Sequence, residues 1–181
     1  MVAKNFLNEE IPDFKDIVDI AKKKANRART ASFKFSDIYS YSESKGKYVL
    51  NKNLTIPDVE LDVSKGKKEN IDFKGLYILS FRNKVQYVGI SKNVLVRIKQ
   101  HFLSTNHFSA SLAYLIAAKE NNHIGQRKTL DFDPLGISVQ KRMRKDWRIS
   151  FIQESDNFHL HILEAYVACK FKAQWNTFKT H

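Results

Sequence analysis

Gly75-Leu76-Tyr77-Ile78-Leu79-Ser80-Phe81-Arg82-Asn83-Lys84-Val85-Gln86-Tyr87-Val88-Gly89-Ile90 is the stretch that decides how this chain is read. Residues 75–81 and 85–90 are apolar runs of β-forming side chains, and the polar residues 82–84 between them signal a hairpin. Opposed residues of an antiparallel pair share a face, so the loop length decides whether the tyrosines meet. A three-residue loop at 82–84 pairs Phe81 with Val85 and Leu79 with Tyr87. Tyr77 then lies diagonally from Tyr87 on one face, within reach of a long side chain. A two-residue loop sends the two phenols to opposite faces. The odd-length loop is therefore expected.

Outward from the hairpin, residues 92–103 have helical periodicity, with Ser91 or Asn93 as a cap and Val94, Ile98 and Phe102 facing inward. Arg97 and His101 stand four apart on this helix and share a stripe, from which both can face one phosphate. Residues 109–119 read as a second helix, 121–136 as a loop containing Gly125, Pro134 and Gly136, 147–153 as a third strand, and 157–171 as a long helix. The order β-β-α-α-β-α predicts an α+β fold: a small antiparallel three-stranded sheet flanked by helices. Upstream, Ile11, Phe14, Ile17, Val18 and Ala21 mark a helix over 10–27, followed by mixed stretches and lysine-rich loops at 44–47 and 64–68. Residues 1–70 are expected to be a basic N-terminal extension of helix and loops, and 71–181 the main domain.

Charge narrows the partner. The net charge is +12, and it is uneven: residues 1–70 hold 14 Lys and Arg against 11 Asp and Glu, residues 71–181 hold 17 against 8. Such a surface attracts polyanions, nucleic acid first among them. Lys141, Arg142, Arg144, Lys145 and Arg148 form a basic run that suits a DNA backbone, and Lys22, Lys23 and Lys24 form a second arm. No apolar stretch is long enough for a membrane span. The N-terminal residues lack the apolar run of a secretory signal. A single cysteine, Cys169, excludes an internal disulfide and is expected in the core; a cytoplasmic location is expected.

One carboxylate stands apart. Glu164 is the only formally charged residue between Asp156 and Lys170, among Leu160, Ile162, Leu163, Ala165, Tyr166, Val167 and Ala168. Burying a lone carboxylate is costly without a cation or an arginine beside it. His159 and His161 are two apart on a helix, face different ways, and make a poor metal pair.

The triplets Gly75-Leu76-Tyr77 and Tyr87-Val88-Gly89, with Arg97 ten residues beyond Tyr87, His101 one turn later, Glu164 on the last helix and Asn176 twelve residues after it, resemble the GIY-YIG nuclease family over about residues 74–178. The resemblance implies a metal-dependent DNA endonuclease with catalytic residues Tyr77, Tyr87, Arg97, His101, Glu164 and Asn176. It implies Glu164 as ligand of one Mg²⁺ or Mn²⁺ ion per active site, and Asn176 as support for a phosphate contact or a metal-bound water. Size resembles the restriction-type branch, where cutting both strands would call for a homodimer. Two departures stand out. Ile90 occupies a position that is polar, often Lys, in some relatives, so activation of a tyrosine falls to His101. The interval from Arg97 to Glu164 is longer than in minimal domains. The alternative from another class is a catalytically silent nucleic-acid-binding module on the same fold, which has no need of the carboxylate.

Overall fold

The computed structural model describes residues 13–27, 30–63, 71–126 and 129–177. The first turn expected around Ile11 and Pro12 and the lysine-rich loop at 64–68 lie outside them. Strands β5 (Gly75–Phe81), β6 (Lys84–Ser91) and β7 (Arg148–Gln153) form one antiparallel sheet in the order β6-β5-β7. The α+β class and the three-stranded sheet are as the sequence predicts. Side chains alternate across β5, so Tyr77 and Leu79 enter one apolar cluster while Leu76 and Ile78 enter another on the opposite face. The first face is covered by α3 (Val94–Leu103), α4 (Ser111–Glu120) and α5 (Phe132–Asp146); the second is covered by α6 (Asn157–Lys170), against which α1 (Phe14–Arg27) packs. No described helix is long and apolar enough to cross a membrane.

The hairpin reaches the expected pairing by a different route. Its turn has two residues, Arg82 and Asn83, both with positive φ (48° and 63°), and Phe81 faces Lys84. This is the backbone twist that a two-residue hairpin favours. The expected three-residue loop is wrong. A β-bulge then shifts the register between Leu79 and Ser80, so that Ser80 faces Val85 while Leu79 faces Tyr87 and Tyr77 faces Gly89. The extra residue of the bulge restores the parity that the short turn takes away, and both tyrosines stay on one face.

Helix α5 corrects the reading of 121–136 as loop and of 141–146 as a bare basic run. Phe132, Gly136, Val139, Gln140 and Met143 are its buried stripe. Gly136 is needed there because a Cβ would stand 2.3 Å from the Phe132 ring. A glycine and a glutamine in the buried stripe, beside Pro134, conceal the helical period. The order is β-β-α-α-α-β-α. Cys169 is exposed rather than packed in the core, because it follows the buried Ala168 on the turn of α6 that faces away from the sheet.

The N-terminal extension contains more than helix and loops. A short helix α2 (Phe35–Ile38) leads into the hairpin β1 (Tyr39–Ser42) and β2 (Lys47–Leu50), and the strand pair β3 (Asp62–Val63) and β4 (Ile71–Asp72) follows. Phe35, Ile38, Tyr39 and Ile56 are buried in the same cluster as Tyr77 and Phe102. Phe35 stacks on Phe102 with ring centroids 5.1 Å apart, and Phe33 bridges to Ile149 on the outer edge of β7. The extension shares the main core.

Candidate active site

Helix α3 is held at both ends, and this fixes where Arg97 and His101 point. At its N-terminus the unpaired backbone N–H groups are met by a carboxylate: Leu95 N–H donates to Asp72 Oδ1 at 2.8 Å and Val96 N–H to Asp72 Oδ2 at 3.0 Å. Phe73 N–H also donates to Asp72 Oδ1. At the C-terminus Gln140 Nε2 donates to the carbonyls of His101 and Ser104, and the Arg144 guanidinium donates to that of Phe102. Asp72 and Gln140 were missed in the sequence reading. The cap is separated from its helix by β5 and β6, a spacing that carries no local signal.

The tyrosines and the histidine converge on one point. Tyr77 Oη lies 2.8 Å from His101 Nε2, and both groups are buried. The Tyr87 ring packs edge-on to His101 at 5.6 Å between centroids, and the two phenol rings are 6.1 Å apart. Gly89 makes room for this: a Cβ at that position would stand 2.4 Å from Tyr77 Oη. Ile90 belongs with the apolar cluster on the opposite face, turned away from the phenols. Arg97 is aimed by the α3–α4 connection, its guanidinium donating to Gln100 Oε1 (3.0 Å), the Ser109 carbonyl (2.9 Å) and Ser111 Oγ (3.2 Å).

Burial dominates the electrostatics. It holds the Tyr77 phenol well above its ordinary value, with the nearby Arg97 charge pulling the other way. Tyr87 is also raised by burial and by the Glu164 charge, and again lowered by Arg97. His101 is pushed down to about 3 by burial and then by Arg97, so it is neutral at pH 7. Its Nδ1 is buried and has no hydrogen-bond partner among the described residues. A histidine that charges in the unfolded chain near its ordinary value of about 6.5 but not in the fold opposes folding in acid. The unfolded state binds the extra proton between those two values, so stability falls as pH drops below about 6.5, by up to about 1.4 kcal/mol per pH unit. Thermal melts of wild type and His101→Gln at pH 7 and pH 5 measure this. The variant should lose less stability between the two.

Glu164 stands at the border of the stripe by which α6 meets the sheet, four residues after the buried Leu160 and three before the buried Val167. It is half-buried, and its carboxylate makes no hydrogen bond or ion pair among the described residues. Burial raises its carboxyl above the usual carboxylate range, with His161 opposing. The described residues hold no group of three or more His, Cys, Asp or Glu side chains able to cage a metal. The donor set is one half-desolvated carboxylate without a counter-charge, which suits a hard cation that keeps most of its water.

Asn176 sits elsewhere than expected. Its Oδ1 accepts the Val88 N–H and its Nδ2 donates to the Val88 carbonyl, each at 2.8 Å. Trp175 N–H donates to the Gln86 carbonyl in the same strap. The Asn176 side chain at Val88 and the Trp175 backbone at Gln86 together hold the open edge of β6 on both sides of Tyr87. Asn176→Ala removes two hydrogen bonds of about 1 kcal/mol each. We expect a comparable loss of stability by denaturant titration, and a fall in turnover that Asn176→Gln does not fully restore.

The basic residues divide into two groups. Arg142 pairs with Glu120 at 2.6 Å, Arg144 is committed to the Phe102 carbonyl, and Lys22 pairs with Asp19. Lys24 is bound to the buried Glu154 at 2.7 Å and neutralises that carboxylate. Lys23, Lys141, Lys145 and Arg148 are exposed.

Two phenols and a histidine thus meet on one face of the sheet, with the Arg97 and Glu164 charges both reaching Tyr87. Residues 73–178 match the GIY-YIG catalytic domain, and the chain belongs to the GIY-YIG family. Comparison with curated proteins and with solved structures gives no match.

Proposed function

We propose that the protein is a Mg²⁺-dependent endonuclease that hydrolyses phosphodiester bonds in DNA through Tyr77, Tyr87, Arg97, His101 and Glu164. The observation that carries this reading is the convergence of Tyr77, Tyr87 and His101 within a segment that matches the GIY-YIG catalytic domain, and the Arg97 and Glu164 charges both act on the Tyr87 phenol. A phosphodiester anion between a cation held by Glu164 and the Arg97 guanidinium matches that charge pattern.

Arg97 braces the non-bridging oxygens, where charge gathers as water attacks phosphorus. Its three fixed partners hold it in place before substrate arrives. Tyr77 orients the attacking water and takes part in removing its proton, with His101 Nε2 as the neighbouring base. Burial, and after it the Arg97 charge, keep His101 neutral, so its Nε2 is free to accept the phenol proton of Tyr77. Tyr87, on which the Arg97 and Glu164 charges both act, positions the water. Glu164 is the residue that would hold a divalent ion, which would supply Lewis acidity. The products carry 5′-phosphate and 3′-hydroxyl ends.

The test is nicking of supercoiled plasmid by the whole chain with Mg²⁺ and with EDTA. Cleavage only with the metal is expected. The form of the product reports assembly: one site per chain gives nicked circles, whereas a restriction-type homodimer gives linear DNA. No cutting with Mg²⁺ or Mn²⁺, but retained DNA binding, overturns the enzyme reading in favour of a silent binding module.

A further inference from the structure

Behind α3, on the side away from the phenols, an open groove of about 320 Å³ lies between the N-terminal extension and α5. Phe35, Tyr39 and Tyr48 form one part of its lining, and Lys141, Arg144 and Lys145 form the other. No carboxylate lines it. Phe35 and Tyr39 are buried, but Tyr48 is only partly covered, and the exposed Tyr41 packs edge-on to it at 5.4 Å. The groove is built firmly. Lys99 Nζ donates to the Tyr48 carbonyl at 2.9 Å and stands 5.8 Å from the centre of the Tyr39 ring, and Tyr39 Oη donates to the Leu95 carbonyl. Arg144 holds the Phe102 carbonyl from within the groove wall. The groove and the catalytic pair are thus two sides of one helix, about 10–12 Å across with its side chains.

We propose that this groove binds a single-stranded segment of DNA next to the scissile phosphate, a reading that rests on the nuclease function above. The partly exposed ring of Tyr48, backed by the buried Phe35 and Tyr39, decides for single strand over duplex. Lysines alone suit any phosphate backbone, but the bases of a duplex are stacked on one another and present no ring face to Tyr48. An unpaired base does, and a groove of cations with stacking rings is how single strands are held without regard to sequence. Tyr48 takes a base, while Lys141 and Lys145 take the flanking phosphates. All three aromatic residues of the lining come from residues 35–48, outside the matched catalytic domain at 73–178. The extension therefore selects substrates with an unpaired strand at the cut.

Binding is measured by fluorescence anisotropy on the full chain carrying Glu164→Gln, in EDTA, so that no cutting intervenes. The probes are a labelled oligothymidine and a blunt hairpin duplex of equal charge. Oligothymidine should bind at least tenfold more tightly than the duplex. Tyr48→Ala should weaken it about tenfold or more, Tyr48→Phe should restore it, and Lys141→Ala/Lys145→Ala should weaken it while flattening its salt dependence. Irradiation of an oligonucleotide containing 5-iododeoxyuridine should place the cross-link on Tyr48. Equal affinity for both probes, or loss in the lysine variant with none in Tyr48→Ala, overturns the proposal and leaves a plain backbone-binding surface. Circular dichroism of Tyr48→Ala checks its fold, and if that variant does not fold the cross-link decides, a cross-link that avoids Tyr48 overturning the proposal. Failure here with plasmid cutting intact removes only the groove, and groove binding without plasmid cutting removes only the nuclease.

Discussion

Glu164→Gln should abolish metal-dependent cleavage, lowering the single-turnover rate by at least about a thousandfold. The substitution keeps the size and the half-buried position of the side chain but removes its charge. Wild-type Glu164 has no hydrogen bond or ion pair among the described residues to lose, and burial raises its carboxyl above the ordinary range. An amide there relieves a desolvated charge, so folding stability should hold or rise slightly. That separation is the diagnostic. A residue kept for structure would lose stability, whereas a metal ligand loses activity alone. If Glu164 holds the ion as proposed, its loss would leave only water and substrate as donors, too few to keep the ion in place. The measurement is quenched-flow cleavage at saturating DNA, with thermal melts alongside. An active Glu164→Gln enzyme means that another carboxylate carries the metal.

Arg97→Ala should lower cleavage by about a hundred- to a thousandfold, the usual cost of removing one preorganised donor to a developing negative charge. The loss should appear mainly in turnover, because Arg97 acts on charge that grows in the transition state. A second consequence distinguishes it from other site variants. Arg97 is a cause of the depressed value of His101, about 3 in the wild type, so its removal should raise the proton affinity of that ring. Titration of the His101 ring by NMR in wild type and variant reads this directly, independent of any substrate. Arg97→Lys should recover only part of the rate, since a single ammonium cannot reproduce the three hydrogen bonds to Gln100, Ser109 and Ser111.

Much of this centre was legible in the chain because it rests on short-range geometry. Arg97 and His101 are one helical turn apart, and the periodicity of α3 puts them on a common stripe whatever surrounds it. Glu164 is conspicuous as a lone charge in an apolar helix. The match at residues 73–178 bears out the family that these residues suggest. The tyrosine pair shows how a correct register can come from a wrong premise: the turn is one residue shorter than expected, and the bulge beyond Leu79 compensates. A bulge is a tertiary compromise with no local sequence mark.

What the sequence concealed depends on contacts between distant segments. Asp72 caps a helix that starts two strands later, and Asn176 grips the edge of β6 from across the sheet. Neither relation has a fixed spacing. Helix α5 was hidden because its buried stripe includes Gly136 and Gln140. Each is explained only by its neighbour, the Phe132 ring for one and the carbonyls at the end of α3 for the other. Lys24 illustrates the same limit for charge. In sequence it belongs to a basic arm, but in the fold it answers Glu154.

The most direct measurement is a crystal structure of Tyr77→Phe soaked with Mn²⁺ and bound to a DNA oligonucleotide, with the ion located by its anomalous scattering. The account predicts one ion on Glu164, sharing a phosphate with the Arg97 guanidinium beside the Tyr87 phenol. An ion held by other side chains, or a phosphate backbone that passes Arg97 without reaching the Glu164 side, would contradict it.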